Sequence, residues 1–167
     1  MDKKEVAEKI EAFIEKCHRH HLKITPQRVA IYRELLQSDM HPSADVLYQL
    51  VKRDYPNISF DTVNRTLLTF ANIGVANVVE IFGGAKRFDA NVTDHHHLHC
   101  IQCGSITDFH NRYFDNLGDP EDVPGDFQIL DKRIVLKGIC NACGKRTPQH
   151  PGTPHHDENL KPKGKLK

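Results

Sequence analysis

The chain has 167 residues, 38% of them hydrophobic and none of them tryptophan, so it holds one domain or two small ones with modest cores. Its 23 Lys plus Arg against 22 Asp plus Glu leave it near neutral, which gives no general affinity for nucleic acid and confines any DNA surface to a local patch. No apolar run approaches the length that spans a bilayer, and the opening MDKKEVAEKIEAF lacks the apolar stretch of a secretory signal, so the chain reads as soluble and cytoplasmic, without a membrane partner.

The first 75 residues read as four helices. Val6, Ile10, Phe13, Ile14 and Cys17 recur at helical spacing and give the first helix one apolar face. Thr25-Pro26 is a cap followed by proline at the first helical position, and it opens a second helix carrying Val29, Leu35 and Leu36. His41-Pro42-Ser43 breaks the chain before a third helix with Leu47, Leu50 and Val51. Tyr55-Pro56-Asn57 breaks it again, and Ser59 caps a fourth with Val63, Leu67, Phe70 and Ala71 inward, ending at Gly74. The period then changes: segments 75–82 and 85–89 flank Gly83-Gly84 as a β-hairpin. Helices followed by a two-stranded hairpin is the layout of a winged helix-turn-helix. Beyond residue 90 the pattern predicts short strands, a short helix near 112–118 and a long β-like segment over 127–139. Residues 148–167, rich in Pro, His, Lys and Gly, predict a disordered tail.

Five cysteines in a reducing compartment argue for metal or redox chemistry over disulfides. Cys100-Ile101-Gln102-Cys103-Gly104 and Cys140-Asn141-Ala142-Cys143-Gly144 are two C-x-x-C-G knuckles, whose spacing lets both sulfurs of each turn toward one ion. Four thiolates suit tetrahedral zinc and leave no open position, so the site is structural. Cys17 stands alone on an apolar helix face and reads as a buried spectator. Asp94-His95-His96-His97-Leu98-His99 precedes the first knuckle; on a strand His95, His97 and His99 point one way and His96 the other. Imidazoles sharing a face begin a nitrogen-rich metal site, to which Asp89 and Asp108 add oxygen and His41 adds a ligand from the first half.

Taken in order, Ile24-Thr25-Pro26-Gln27-Arg28, His41-Pro42-Ser43-Ala44, Ser59-Phe60-Asp61-Thr62-Val63, Lys86-Arg87-Phe88-Asp89, the histidine run and both knuckles resemble the ferric uptake regulator family over residues 5–146. The resemblance implies an α+β homodimer: a winged helix-turn-helix DNA-binding domain over 1–89, then a small α/β dimerisation domain with a structural zinc over 90–147. It implies His41, Asp89, His95, His97 and Asp108 as ligands of a regulatory metal at the hinge, and Cys100, Cys103, Cys140 and Cys143 as the zinc ligands. Aspartate at both carboxylate positions is most similar to the peroxide-sensing branch. There, bound ferrous iron reacts with peroxide, and oxidation of a ligand histidine, here His41 or His95, releases metal and DNA. Manganese is the other regulatory ion to consider, and an iron-responsive uptake regulator, or a sensor of nickel or another divalent metal, is the alternative. A further site of some relatives is incomplete: Asp94, His96 and Asp115 are available, but Lys132 stands where a histidine is expected.

For DNA, the fourth helix presents Asp61, Thr62, Asn64 and Arg65 near its exposed start, with asparagine where many relatives carry tyrosine. Asparagine pairs with adenine and arginine with guanine in the major groove. Arg19, Lys23, Arg28, Lys86 and Arg87 are the candidate phosphate contacts on an inverted-repeat operator. The chain thus reads as a repressor, not an enzyme, with no small-molecule substrate. A hydrolase built on the same histidines needs an open coordination position and a substrate pocket, and a winged-helix half gives no reason to expect them. A metal store would rest on the tail histidines.

Overall fold

A computed structural model of the chain describes residues 2–38, 40–79, 84–120, 122–130 and 132–145. Its first half is four capped helices. In α1 (Lys3–Arg19), Asp2 accepts the Glu5 amide at 2.8 Å. In α2 (Pro26–Leu36), Thr25 Oγ1 accepts from Arg28, and Pro26 sits where a missing N–H costs nothing. Ser43 and Ser59 do the same for α3 (Ala44–Val51) and α4 (Phe60–Asn72), through the amides of Val46 and Thr62. Each helix turns its apolar stripe inward. Phe13 of α1 stacks on Tyr32 of α2 at 4.2 Å and meets Phe70 of α4 edge-on at 5.1 Å, with Leu35, Leu47, Val63 and Leu67 buried around them. Cys17 is fully buried in this core, where burial pushes its thiol up in pKa, as a spectator requires.

Gly74, at φ +69, ends α4 and lets the chain turn into β1 (Asn77–Val79), which pairs antiparallel with β2 (Arg87–Asp89) through Val78 and Phe88. The strands begin at Asn77 and Arg87, two residues into the expected segments 75–82 and 85–89, and residues 80–83, with the Gly83 half of the expected turn, lie outside the described residues. The helices and this antiparallel pair make the winged helix-turn-helix.

The second half is a three-stranded sheet in the order β4-β3-β5. The central strand β3 (His96–Cys100) runs antiparallel to β4 (Ile106–Phe109) and parallel to β5 (Val135–Gly138). The long β-like segment expected over 127–139 is therefore a strand only at its end. β3 offers four residues for parallel pairing, and Phe127 and Leu130, upstream of that edge, are 66% and 85% exposed. The helix expected near 112–118 is a single turn, α5 (Arg112–Asp115), capped by Asn111 and closed at Asn116 before Gly118. A last turn, α6 (Asn141–Gly144), follows Cys140 at its N-cap and carries Cys143. The architecture is α+β. The tail over 148–167 lies outside the described residues, and among the described residues no helix is long and apolar enough to cross a membrane.

Candidate metal centres and DNA-facing residues

The parallel register of β3 and β5 sets Cys100 opposite Gly138, and this brings the two knuckles together from either end of the second half. Ile101 donates to the Gly138 carbonyl at 2.9 Å, and the Cys140 amide donates to Cys100 Sγ at 3.3 Å. In each knuckle the glycine amide closes on the first cysteine's carbonyl, at 2.9 Å for Gly104 and 2.8 Å for Gly144. Only Gly104 needs glycine's freedom, at φ +71. One ligand atom from each of Cys100, Cys103, Cys140 and Cys143 lies within 4.8 Å of the others, and none is in a disulfide. The Cys103 and Cys140 sulfurs are 3.8 Å apart, which matches the edge of about 3.8 Å for a tetrahedron with zinc–sulfur bonds of about 2.3 Å. Without an ion the sulfurs compete for protons. The Cys140 amide helps bring the Cys100 thiol down to about 6, while the Cys140 side chain helps push Cys143 up to about 12. A bound dication removes that conflict by taking four thiolates at once.

The second cluster lies at the other end of β3. His97 is on the strand opposite Asp108 of β4, His95 immediately precedes the strand, and Asp89 ends β2. His41 arrives from the loop between α2 and α3 at φ +45, a conformation uncommon outside glycine and tolerated by histidine better than by most residues. The loop is stitched to the wing: Phe88 donates to the Pro42 carbonyl at 3.0 Å and Ser43 bridges Arg87, so His41 is delivered beside Asp89.

All five residues place a ligand atom within 4.8 Å of the others. His95 Nε2 is 3.0 Å from both His97 Nε2 and Asp89 Oδ2. Two nitrogens about 2.1 Å from one ion and at right angles around it would lie about 3.0 Å apart. His41 Nε2 is 2.8 Å from Asp108 Oδ1, yet it is buried with no aligned hydrogen bond, and so is Asp89 Oδ2. Orphaned buried polar atoms are costly; here they converge with neighbouring donors, as ligands do around an ion. The neighbours aim them. A carbonyl only accepts, so His95 Nδ1 donates to Thr93 O at 2.7 Å and leaves its Nε2 lone pair to the cluster. Asn91 donates to Asp89 Oδ1 at 2.8 Å and leaves Oδ2 free. Burial raises the Asp89 carboxyl pKa and lowers that of His97 to about 4, so the metal-free site resists charge in both groups.

His99 does not join them, although its strand face is shared; its buried Nδ1 lacks a partner nearer the cysteines. His96 turns to the opposite face, pairs with Asp115 at 3.1 Å and packs on Phe109 and Phe114. Asp94 lines the same cavity, where Lys132 contacts Asp119 at 3.0 Å and the Leu117 carbonyl. Thr93 and Asn91 are the orienting residues that sequence reasoning missed. No motif marks a backbone carbonyl or amide as an aiming device.

Of the DNA candidates, Arg19 ends α1, and Arg28 reaches the Lys23 carbonyl across the α1–α2 turn. Asp61, Thr62, Asn64 and Arg65 occupy the first turns of α4 behind its cap Ser59, and Asp61 lies 3.6 Å from Arg65. Lys86 is exposed beside the wing strand, whereas the Arg87 guanidinium lies 3.8 Å from where a Cβ on Gly104 would stand, against the second half.

Residues 19–137 match the model of the ferric uptake regulator family. The chain belongs to this family. A peroxide-responsive repressor, PerR, of Staphylococcus epidermidis is 35% identical over 134 residues, covering 80% of this chain and 89% of its own. The Vibrio cholerae ferric uptake regulator matches in structure with a TM-score of 0.59 at 25% identity, over 75% of this chain and 98% of its own. The Helicobacter pylori ferric uptake regulator shares the fold at a TM-score of 0.68 and 18% identity, over 83% and 93%. Family membership makes the chain a metal-dependent regulator and not an enzyme.

Proposed function

We propose that this chain is a peroxide-responsive repressor that binds an inverted-repeat operator as a homodimer. Residues 1–89 read the DNA, residues 90–147 dimerise, and a regulatory Fe(II) or Mn(II) at His41, Asp89, His95, His97 and Asp108 governs the angle between them. Cys100, Cys103, Cys140 and Cys143 hold zinc and keep the second half folded. The observation that carries the reading is the placement of His41. It is the only one of the five donors supplied by the helical core's loops, and its Nε2 is buried, unsatisfied and aimed at the others. Filling that centre ties the first half to the second.

Both oxygen ligands are aspartates and no sulfur lies among the donors, which suits Fe(II) or Mn(II) better than a soft ion. The identity to peroxide-responsive repressors supports the same choice. Bound ferrous iron would supply the electron that converts peroxide into an oxidant of a neighbouring imidazole. The family resemblance singles out His41 and His95 as the rings that would be oxidised, and Asp108, with a side chain 34% exposed, leaves the cluster open on one side. A cavity of about 350 Å³ lined by His41, Asp89 and Asp108 reaches the site there. Exposed Leu98, Ile101, Leu136 and Ile139 on the second half supply an apolar face for the dimer. Arg19, Lys23, Arg28 and Lys86 would bind phosphates, together with Arg87 if the halves reorient, while Asp61, Thr62, Asn64 and Arg65 lie where α4 enters the groove.

Intact and peptide mass spectrometry tests the reading. Iron-loaded protein exposed to peroxide gains one oxygen on His41 or His95 and releases its operator, while manganese-loaded protein resists. Unmodified histidines, with operator binding driven by iron alone, would replace the proposal with an iron-responsive uptake regulator.

A further inference from the structure

We infer that Phe60 reads a base: it takes the 5-methyl group of a thymine in the major groove. The inference rests on the DNA-binding reading above and adds a specificity residue to it. Phe60 is the first residue of α4 and is 44% exposed, whereas Val63, Leu67 and Phe70 of the same helix are buried. A single exposed aromatic is ordinary by itself. This one is braced from below. Its ring meets that of Tyr48, on α3, edge-on at 6.0 Å. Tyr48 packs on the core, accepts a hydrogen bond from Lys52 Nζ at 2.9 Å and carries that ammonium 5.1 Å from its ring centroid. Lys52, Tyr48 and Phe60 thus form a layered ridge across the two helices of the helix-turn-helix. A side chain held before binding loses less freedom when it docks.

The neighbours of that ridge are polar groups suited to base edges. Phe60 and Asn64 are four residues apart on one side of α4; Asp61 and Arg65 form the next pair, 3.6 Å from each other. The exposed start of the helix therefore offers a ring, a carboxamide and a guanidinium side by side. The thymine methyl is the apolar group that a base pair displays in the major groove, and adenine is the base whose edge a carboxamide matches. An apolar ring next to an asparagine matches A·T pairs, with the exposed Lys52 ammonium left for the adjacent phosphate.

Replacing thymidine by deoxyuridine removes the methyl and keeps every hydrogen-bonding group. The full chain, loaded with zinc and manganese, is used to select duplexes from a random pool, and the selected duplex is then resynthesised with deoxyuridine. Wild type should bind the deoxyuridine duplex about four-fold more weakly per half-site contacted. Phe60→Ala should bind both duplexes equally with its melting temperature kept within a few degrees, and Phe60→Leu should keep part of the preference. Wild-type indifference to the methyl, or discrimination retained by folded Phe60→Ala, overturns the inference. So does a Phe60→Ala change confined to oligomeric state, which would make this a protein contact. Failure to select any salt-sensitive duplex sinks the DNA-binding reading itself, and the inference with it.

Discussion

One five-residue strand serves two donor clusters of opposite character. At its start, His97 and the preceding His95 enter a buried centre shared with Asp89 and Asp108 and closed by His41 from the helical half. At its end, Cys100 joins three other sulfurs, all supplied by the second half itself and one of them exposed. The cysteine cluster is assembled by the β3–β5 register and reports nothing about the first half. The histidine–aspartate cluster exists only when the α2–α3 loop, the wing and the second sheet are in one arrangement. On the proposed function, a metal at the cysteines would stabilise a fold, and a metal at the histidines and aspartates would select a conformation.

The largest effect should come from the cluster that only stabilises. Cys140→Ser should lose zinc and, with it, the cooperative unfolding transition and dimer of the second half, because binding energy on the order of 10 kcal/mol or more at such sites is folding energy. Zinc content and size-exclusion chromatography read this out. A dimeric, zinc-free variant would erase the distinction between the clusters.

Asp89→Asn should do the reverse at the other site. Burial raises the Asp89 carboxyl pKa, so at neutral pH its ionised form costs folding free energy that the amide does not. The metal-free variant should melt higher than wild type, by about 2–4 °C for each kcal/mol relieved, and manganese should no longer raise its melting temperature. Differential scanning fluorimetry with and without the ion distinguishes a strained functional carboxylate from a structural one.

These regions also differ in how openly the sequence displays them. Two C-x-x-C-G knuckles need only their spacing, since two intervening residues already turn both sulfurs one way. The helical half is similarly plain, because Thr25, Ser43 and Ser59 cap helices whose apolar residues keep a 3.6-residue period. His41 is different: its partners lie between 48 and 67 positions away, and no local pattern joins a loop histidine to a distant sheet. The residues offer it as one candidate donor from the first half, and the family resemblance is what groups it with those partners. The 127–139 segment misleads for a related reason, since alternation signals strand capacity but not the partner edge, and only Val135–Gly138 finds one.

The smallest effect concerns pH. Burial lowers the His97 pKa to about 4, against about 6.5 in an unfolded chain. Between those values the unfolded state binds the extra proton, so this contribution to metal-free stability is present above about 6.5 and lost as pH falls toward 4. His97→Gln should flatten that part of the stability profile in denaturant titrations, and an unchanged profile would remove His97 from the buried cluster.

The proposed coupling of the two halves runs through metal bound by His41. Its most direct test is operator affinity during a manganese titration of zinc-replete wild type and His41→Ala. Wild type should gain at least about ten-fold in affinity, within the usual range of coupling between sites, while His41→Ala keeps its zinc and gains nothing. A full manganese response in His41→Ala would contradict the account.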